Sequence, residues 1–332
     1  MASLSTSNPT LLDLAKASDP DGKIATIVEI LMQTNEVLDD ITFVEGNLPT
    51  GHRTTIRAGL PEPTWRKLYQ GVQPTKATNV QVTDNTGMLE AYAEIDKALA
   101  DLNGNTAAFR LSEERAFIEG INQELASTIF YGNEGTEPEA FTGFAPRYND
   151  TSAENGDNII SGGSTADADA SIWLVVWGPN TCHGIVPKGS TAGLMVEDKG
   201  QVTIEDADGS NGRMEAYRTH YRLDSGLSLR DWRYVVRIAN IEKAALTATA
   251  SSGANLPNLM FEAMSIVPNL SFGRPAFYMS RDIMTKVRQQ SVNATSSSTL
   301  TVDMVGGKML TSFHGIPMRR VDALATDEDS VS

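Results

Sequence analysis

At 332 residues the chain is long enough to bury a sizeable core and to divide into two domains. Its formal net charge of -15 argues against a protein whose main task is gripping DNA phosphate, which needs a basic surface. A single cysteine, Cys182, excludes an internal disulfide and any multi-cysteine metal site, and points to a reducing compartment.

The first residues, "MASLSTSNPTLLDLAKASDPDGK", lack a basic region followed by an apolar run, so they do not read as a secretory signal. The longest apolar stretch, "IWLVVW" at 172–177, is too short to span a bilayer. These features predict a soluble, cytosolic polypeptide with no membrane partner.

Residues 10–17 give a short helical signal. After Asp19-Pro20-Asp21, "GKIATIVEILMQTNEVLDD" places Ile24, Ile27, Val28, Leu31 and Leu38 at helical spacing. These residues form an arm whose apolar stripe must be buried against something else. The next segment, 46–86, loses that periodicity. "HRTTIRAG" alternates as a strand does, "LPEP" breaks it, and "TNVQVTD" alternates again up to Asn85-Thr86-Gly87, a turn signal. A long two-stranded hairpin is predicted, and it needs a neighbour because an isolated hairpin is marginal in water. Its composition is unusual for this chain: from Gly46 to Thr83, Arg53, Arg57, Arg66, Lys67 and Lys76 stand against a single acid, Glu62.

"MLEAYAEIDKALADLNGN" reads as a helix with Leu89, Tyr92, Leu99 and Leu102 on one face. The strongest element follows, "NTAAFRLSEERAFIEGINQELASTIFYGN" (105–133). Asn105 or Thr106 can cap it, Phe117, Ile121, Leu125 and Ile129 recur every fourth residue, and Gly132 closes it, giving a helix of about 38 Å. Residues 133–170 look like loops. The strands "IWLVVWG", "CHGIVPKG", "GQVTIEDADG", "MEAYRTHYRLDSGLSLRD" and "WRYVVRIANI" come next, then the linker "TATASSGAN" (247–255). "LPNLMFEAMSIVP" reads as a helix, "PAFYMS" as a strand, "RDIMTKVRQQ" as a helix, "NATSSSTLTVD" (293–303) as a low-complexity loop, and "KMLTSFHGIPMRRVDAL" as closing strands. Met260, Met264, Met279 and Met284 read as core filler.

No constellation supports catalysis. "GGKMLTS" (306–312) places Met309 where a phosphate-cradling loop needs Ser or Thr, and no G-x-S-x-G elbow exists. "DADGSNG" (206–212) lacks the glycine and the bidentate glutamate of a calcium loop and reads as an acidic turn. Cys182 and His183 are adjacent on a strand, point to opposite faces and cannot form a dyad. His52, His183, His220 and His314 are scattered singly, without metal-ligand spacing. No cofactor and no metal is expected.

The order of elements is informative: an amphipathic arm, a long basic hairpin, a lone long helix with a mixed sheet, then a second α/β region. It resembles the major capsid proteins of tailed bacteriophages, of short-tailed-phage type, whose Hong Kong phage capsid fold is shared with bacterial encapsulins. "GLPEPTWRKLYQGVQPTKATNVQVTD" is similar to the extended loop of those proteins, and "AAFRLSEERAFIEGINQELASTIFYGN" to their spine helix and its exit. "EAFTGFAPRYND" resembles the segment after it, and "GLSLRDWRYVVRIANI" a late strand block. The likeness covers nearly the whole chain. One departure stands out: the β-rich block 172–241 precedes the helix–strand–helix block 256–290, which suggests a permuted connection of the same architecture.

The resemblance implies an α+β fold divided into an N-terminal arm (1–45), an extended β-hairpin loop (46–86), a peripheral domain (87–150) with spine helix 106–131, and an axial domain with returning strands (151–332). It implies a shell-forming virion protein, not an enzyme, assembled in the bacterial host cytoplasm around double-stranded DNA. Implied partners are further copies in hexamers and pentamers, a portal protein at one vertex, a separate scaffolding protein, a cement or decoration protein, and packaged DNA held weakly, since an acidic lining repels it. In such a shell Arg53, Arg57, Leu60, Trp65, Arg66, Lys67 and Tyr69 are the expected interface residues of the loop, and Ile24, Ile27, Val28 and Leu31 those of the arm. Some members of that family crosslink a loop lysine to a neighbouring asparagine; Lys67 and Lys76 are the lysines here, and no crosslink is expected. Two other readings stand beside this one: an encapsulin-like compartment shell, and a cytosolic α/β enzyme of unrecognised type.

Overall fold

The computed structural model describes residues 33–102, 106–165, 168–190, 192–205, 212–250, 252–293, 300–305 and 308–332. The chain divides into two compact units. Of the described residues, one contains 33–34 and those within 88–125 and 193–224; the other contains those within 35–87, 126–192 and 225–332.

The larger unit is built on an apolar sheet. Strand β5 (Asp169–Trp177) is buried at every position, as a strand covered on both faces must be, which explains its unbroken apolar run. It pairs antiparallel with β10 (Arg274–Met279) on one side and with β9 (Val235–Glu242) on the other. Beyond β10 lie β13 (Ile316–Arg320), β12 (Lys308–Phe313) and β11 (Leu300–Val305). Strand β6 (Cys182–Val186) follows β5, with the short β1 (Phe43–Glu45) parallel to it, and β4 (Ile159–Ser161) runs parallel to β9. Helices Leu256–Ile266 and Arg281–Asn293 pack on this sheet through Leu256, Met260, Ile283 and Val287. Met260, Met279 and Met284 are buried and Met264 is packed against them, so these methionines fill the core. An aromatic cluster lies within the same unit, with Trp173 5.7 Å from Phe144, 6.0 Å from Tyr148 and 6.1 Å from Phe130.

The last residues of the chain are stitched into this unit. Glu328 is buried and pairs with Arg237 at 2.7 Å. Its carboxylate also accepts from the Ser171 and Tyr131 hydroxyls. Its backbone pairs with Asp169 in both directions, and Asn240 exchanges two side-chain hydrogen bonds of 2.8 Å with the Val331 backbone.

In the smaller unit the helix Thr106–Tyr131 begins as the periodicity predicts and runs on into the larger one to end at Tyr131. Strand β8 (Arg213–Leu229) lies between β7 (Met195–Glu205) and β3 (Thr78–Asp96). Phe117 of the helix stacks on Tyr221 of β8 at 5.9 Å, and Arg110 lies over the Tyr217 ring while pairing with Asp198 at 2.8 Å.

Three expectations are corrected. "MLEAYAEID" is not a helix: β3 runs unbroken through it to Asp96, with Leu89, Ala91, Ala93 and Ile95 turned inward and Met88, Glu90 and Tyr92 exposed. The period is two, hidden because two inward positions are alanine. Asn85-Thr86-Gly87 is consequently no turn. Gly87 is needed because a Cβ there would stand 2.9 Å from the Glu139 carbonyl. Finally, "NATSSSTLTVD" is not all loop, since Leu300–Val305 forms β11 paired to β12. The helical signal at 10–17 and most of the one at 22–40 lie outside the described residues; within them only Val37–Asp40 is helical.

Candidate assembly surface

Strand β2 (Gly51–Gly59) pairs antiparallel with β3 from Gly51↔Asn85 to Gly59↔Thr78, so the predicted hairpin exists. A register shift between Arg57 and Gly59 marks a bulge. Residues 60–77, between the strands, hold no helix or strand. "LPEP" and the further proline Pro74 account for that, because proline cannot donate to a ladder.

The tip buries almost nothing. Trp65 and Tyr69 are fully exposed, at 103% and 102%, and Leu60 is strongly exposed. Leu68 and Val72 are exposed too; they belong to the same surface and were not singled out from the sequence, although their place in a segment without a core was the available signal. Tyr69 has φ +66, a left-handed conformation unusual for an aromatic residue, next to the turn in which the Gln70 N–H donates to the Lys67 carbonyl at 3.2 Å.

The cations are unspent. Arg57, Arg66 and Lys67 are exposed and make no ion pair among the described residues. Arg53 is used locally: its backbone exchanges hydrogen bonds with the Asn47 side chain, and its Nε donates to Thr83 Oγ1 at 3.2 Å. The structure thus gathers Arg57, Leu60, Trp65, Arg66, Lys67 and Tyr69 on one excursion and places Arg53 nearer its base. The arm residues Ile24, Ile27, Val28 and Leu31 lie outside the described residues.

The base is tied down where the tip is bare. Asp84 is buried on β3, pairs with Arg147 and accepts from the Ser228 hydroxyl at 2.8 Å. Arg147 also donates to the carbonyls of Thr142 and Leu227. His52 of β2 meets His183 of β6 edge to face at 5.8 Å. Burial pushes His183 down to about 4, helped by His52 and Arg230 and opposed by Asp84. Burial also raises the Cys182 thiol far above its ordinary range, so Cys182 is inert packing and no nucleophile.

A hairpin whose aromatic and cationic tip buries almost nothing, on a base tied down through Asp84 and Arg147, is the kind of surface that proteins assembling in many copies present. The chain belongs to the major capsid protein GP7 family, whose model matches residues 19–332. It is a tailed-phage major capsid protein, a structural component of the virion capsid, with the Hong Kong phage capsid fold. A chain of the bacteriophage Epsilon15 structure is similar over 100% of this chain and 99% of that one, at 39% identity and a TM-score of 0.80. Weaker likenesses are found to a chain of Mycobacterium phage Adephagia (11% identity, 70% and 97% covered, TM-score 0.44) and to the bacteriophage JBD30 capsid (10% identity, 78% and 84% covered, TM-score 0.44). No curated protein sequence matches the chain. Neither the compartment-shell reading nor the enzyme reading is favoured by the family or by the Epsilon15 likeness.

Proposed function

We propose that the chain performs no catalysis and builds the shell by laying its hairpin across an adjacent copy, with copies grouped in hexamers and pentamers. The reading is carried by one observation: Leu60, Trp65, Leu68 and Tyr69 are bare apolar side chains beside Arg57, Arg66 and Lys67, which make no ion pair among the described residues, on a segment that buries almost nothing of its own. Large exposed apolar side chains together with arginine are the ordinary make-up of an interface centre. The acidic remainder of the chain supplies the opposite charge, which sets register and orientation more than affinity.

The division into arm 1–45, extended loop 46–86, peripheral domain from 87 and axial domain from 151 belongs to this reading. So do a portal protein at one vertex, a separate scaffolding protein, a cement or decoration protein, and weak non-specific contact with packaged double-stranded DNA. The test is the double charge reversal Arg57→Glu with Arg66→Glu. The subunit is expected to fold, by circular dichroism, and to give no closed particles by negative-stain electron microscopy. Normal particles from the double variant would refute the interface.

A further inference from the structure

Strand β2 ends the run of paired strands, so one of its edges has no neighbouring strand among the described residues. The bonds already made decide which backbone groups point to that edge. The Thr86 N–H donates to the Thr50 carbonyl, and with the β2–β3 register this assigns His52, Thr54 and Ile56 to the ladder with β3. Gly51, Arg53, Thr55 and Arg57 therefore aim their N–H and C=O groups outwards. Three of these four positions are covered or defended. The Gly51 carbonyl accepts from the Leu48 N–H at 3.1 Å. Arg57 lies at the bulge and carries an exposed charge, and both discourage a further strand. At Arg53 the cover is a side chain: the Asn47 carboxamide accepts from the Arg53 N–H at 2.8 Å and donates to its carbonyl at 2.7 Å. The backbone itself turns away there, its Gly46 N–H being committed to the Val186 carbonyl of β6. Only Thr55 has no cover among the described residues.

We infer that Asn47 is an edge guard: its carboxamide takes the place of a neighbouring strand at Arg53 and keeps the hairpins of separate copies from pairing edge to edge. One open residue offers a single donor and a single acceptor, too few to hold a strand. Without Asn47, Arg53 and Thr55 open together, which sets four groups in a row over about 7 Å. The strand that would add is β2 of another copy, since like edges pair antiparallel and every copy carries one. Exposed Leu60, Trp65 and Leu68 beyond it would add apolar contact to such a pair. Repulsion between the arginines of two such edges opposes the same pairing, but salt screens it, whereas the carboxamide acts at any ionic strength. The inference holds whether or not the hairpin lies across an adjacent copy, because it concerns a pairing that the root of the hairpin refuses.

Hydrogen exchange read residue by residue tests the geometry in the purified full-length subunit, below the concentration at which shells form. The Arg53 amide is expected to exchange about fivefold more slowly than the Thr55 amide, the worth of one net hydrogen bond. Equal rates in the parent would overturn the guard. Asn47→Ala is expected to abolish that difference, and to make free subunits associate with concentration and bind thioflavin T, which reports stacked strands. The double variant Asn47→Ala with Thr55→Pro separates edge pairing from simple weakening. Proline removes the outward N–H, closes the edge again and is expected to return the subunits to their parental dispersion. Asn47→Ala subunits that stay dispersed, or an association that the proline leaves unchanged, would refute the role.

Discussion

Arg147 Nη1 donates to Asp84 Oδ1 at 2.9 Å, which ties the segment after the long helix to the strand that carries the hairpin. The two residues are 63 apart in sequence, and Asp84 is nearly inaccessible. The Ser228 hydroxyl donates to the second carboxylate oxygen, so the charge is fully engaged. Replacing Arg147 by Met keeps the volume and strands the buried carboxylate. Loss of one partner from a buried pair costs about 3 kcal/mol or more. Urea unfolding of the unassembled subunit is expected to show that loss, and a change under about 1 kcal/mol would mean that Ser228 alone satisfies Asp84.

The carboxy-terminal stitch makes a parallel case. Glu328→Ala removes the partner of buried Arg237 together with the acceptor of the Ser171 and Tyr131 hydroxyls. A drop of about 3 kcal/mol in subunit stability is expected by thermal or chemical unfolding. Glu328→Gln keeps acceptor and shape and is expected to lose less. Equal losses would show that charge, not volume, holds the segment.

His183 gives the hairpin base an acid limit. Its folded value is pushed down to about 4 from an ordinary 6.5, so the unfolded chain takes up the proton first. The contribution of neutral His183 is whole above pH 6.5 and is lost as the pH falls towards 4, at up to about 1.4 kcal/mol per pH unit. The Arg230 charge and the His52 ring oppose protonation, and Asp84 favours it. Stability measured across that window is expected to fall less steeply in His183→Gln than in the parent. An identical slope would assign the acid sensitivity elsewhere.

Trp65 separates folding from assembly. Fully exposed, it contributes nothing to the subunit core, and Trp65→Ala is expected to leave unfolding within about 0.5 kcal/mol of the parent. Assembly is expected to weaken by about 2 kcal/mol per contact, as truncation of an aromatic anchor does. Light scattering against subunit concentration measures it, and an unchanged threshold would remove Trp65 from the interface. In the same tip, tryptic cleavage after Arg66 and Lys67 should be rapid in the free subunit and blocked in the shell.

The sequence by itself determined the elements whose periods are unambiguous. The four-residue repeat of Phe117, Ile121, Leu125 and Ile129 predicts the long helix to its last residue, and the unbroken apolar run at 172–177 predicts a strand buried on both faces. It also determined that the segment around Trp65 carries no core, because prolines and cations cannot close one. Tertiary structure alone decided the course of "MLEAYAEID". Alanine serves either period, so burial against neighbouring strands chose between them. It alone chose the partners of Asp84 and Glu328 as well. Their cations lie 63 and 91 residues away, and no local pattern carries a pairing that only the folded chain brings within 3 Å.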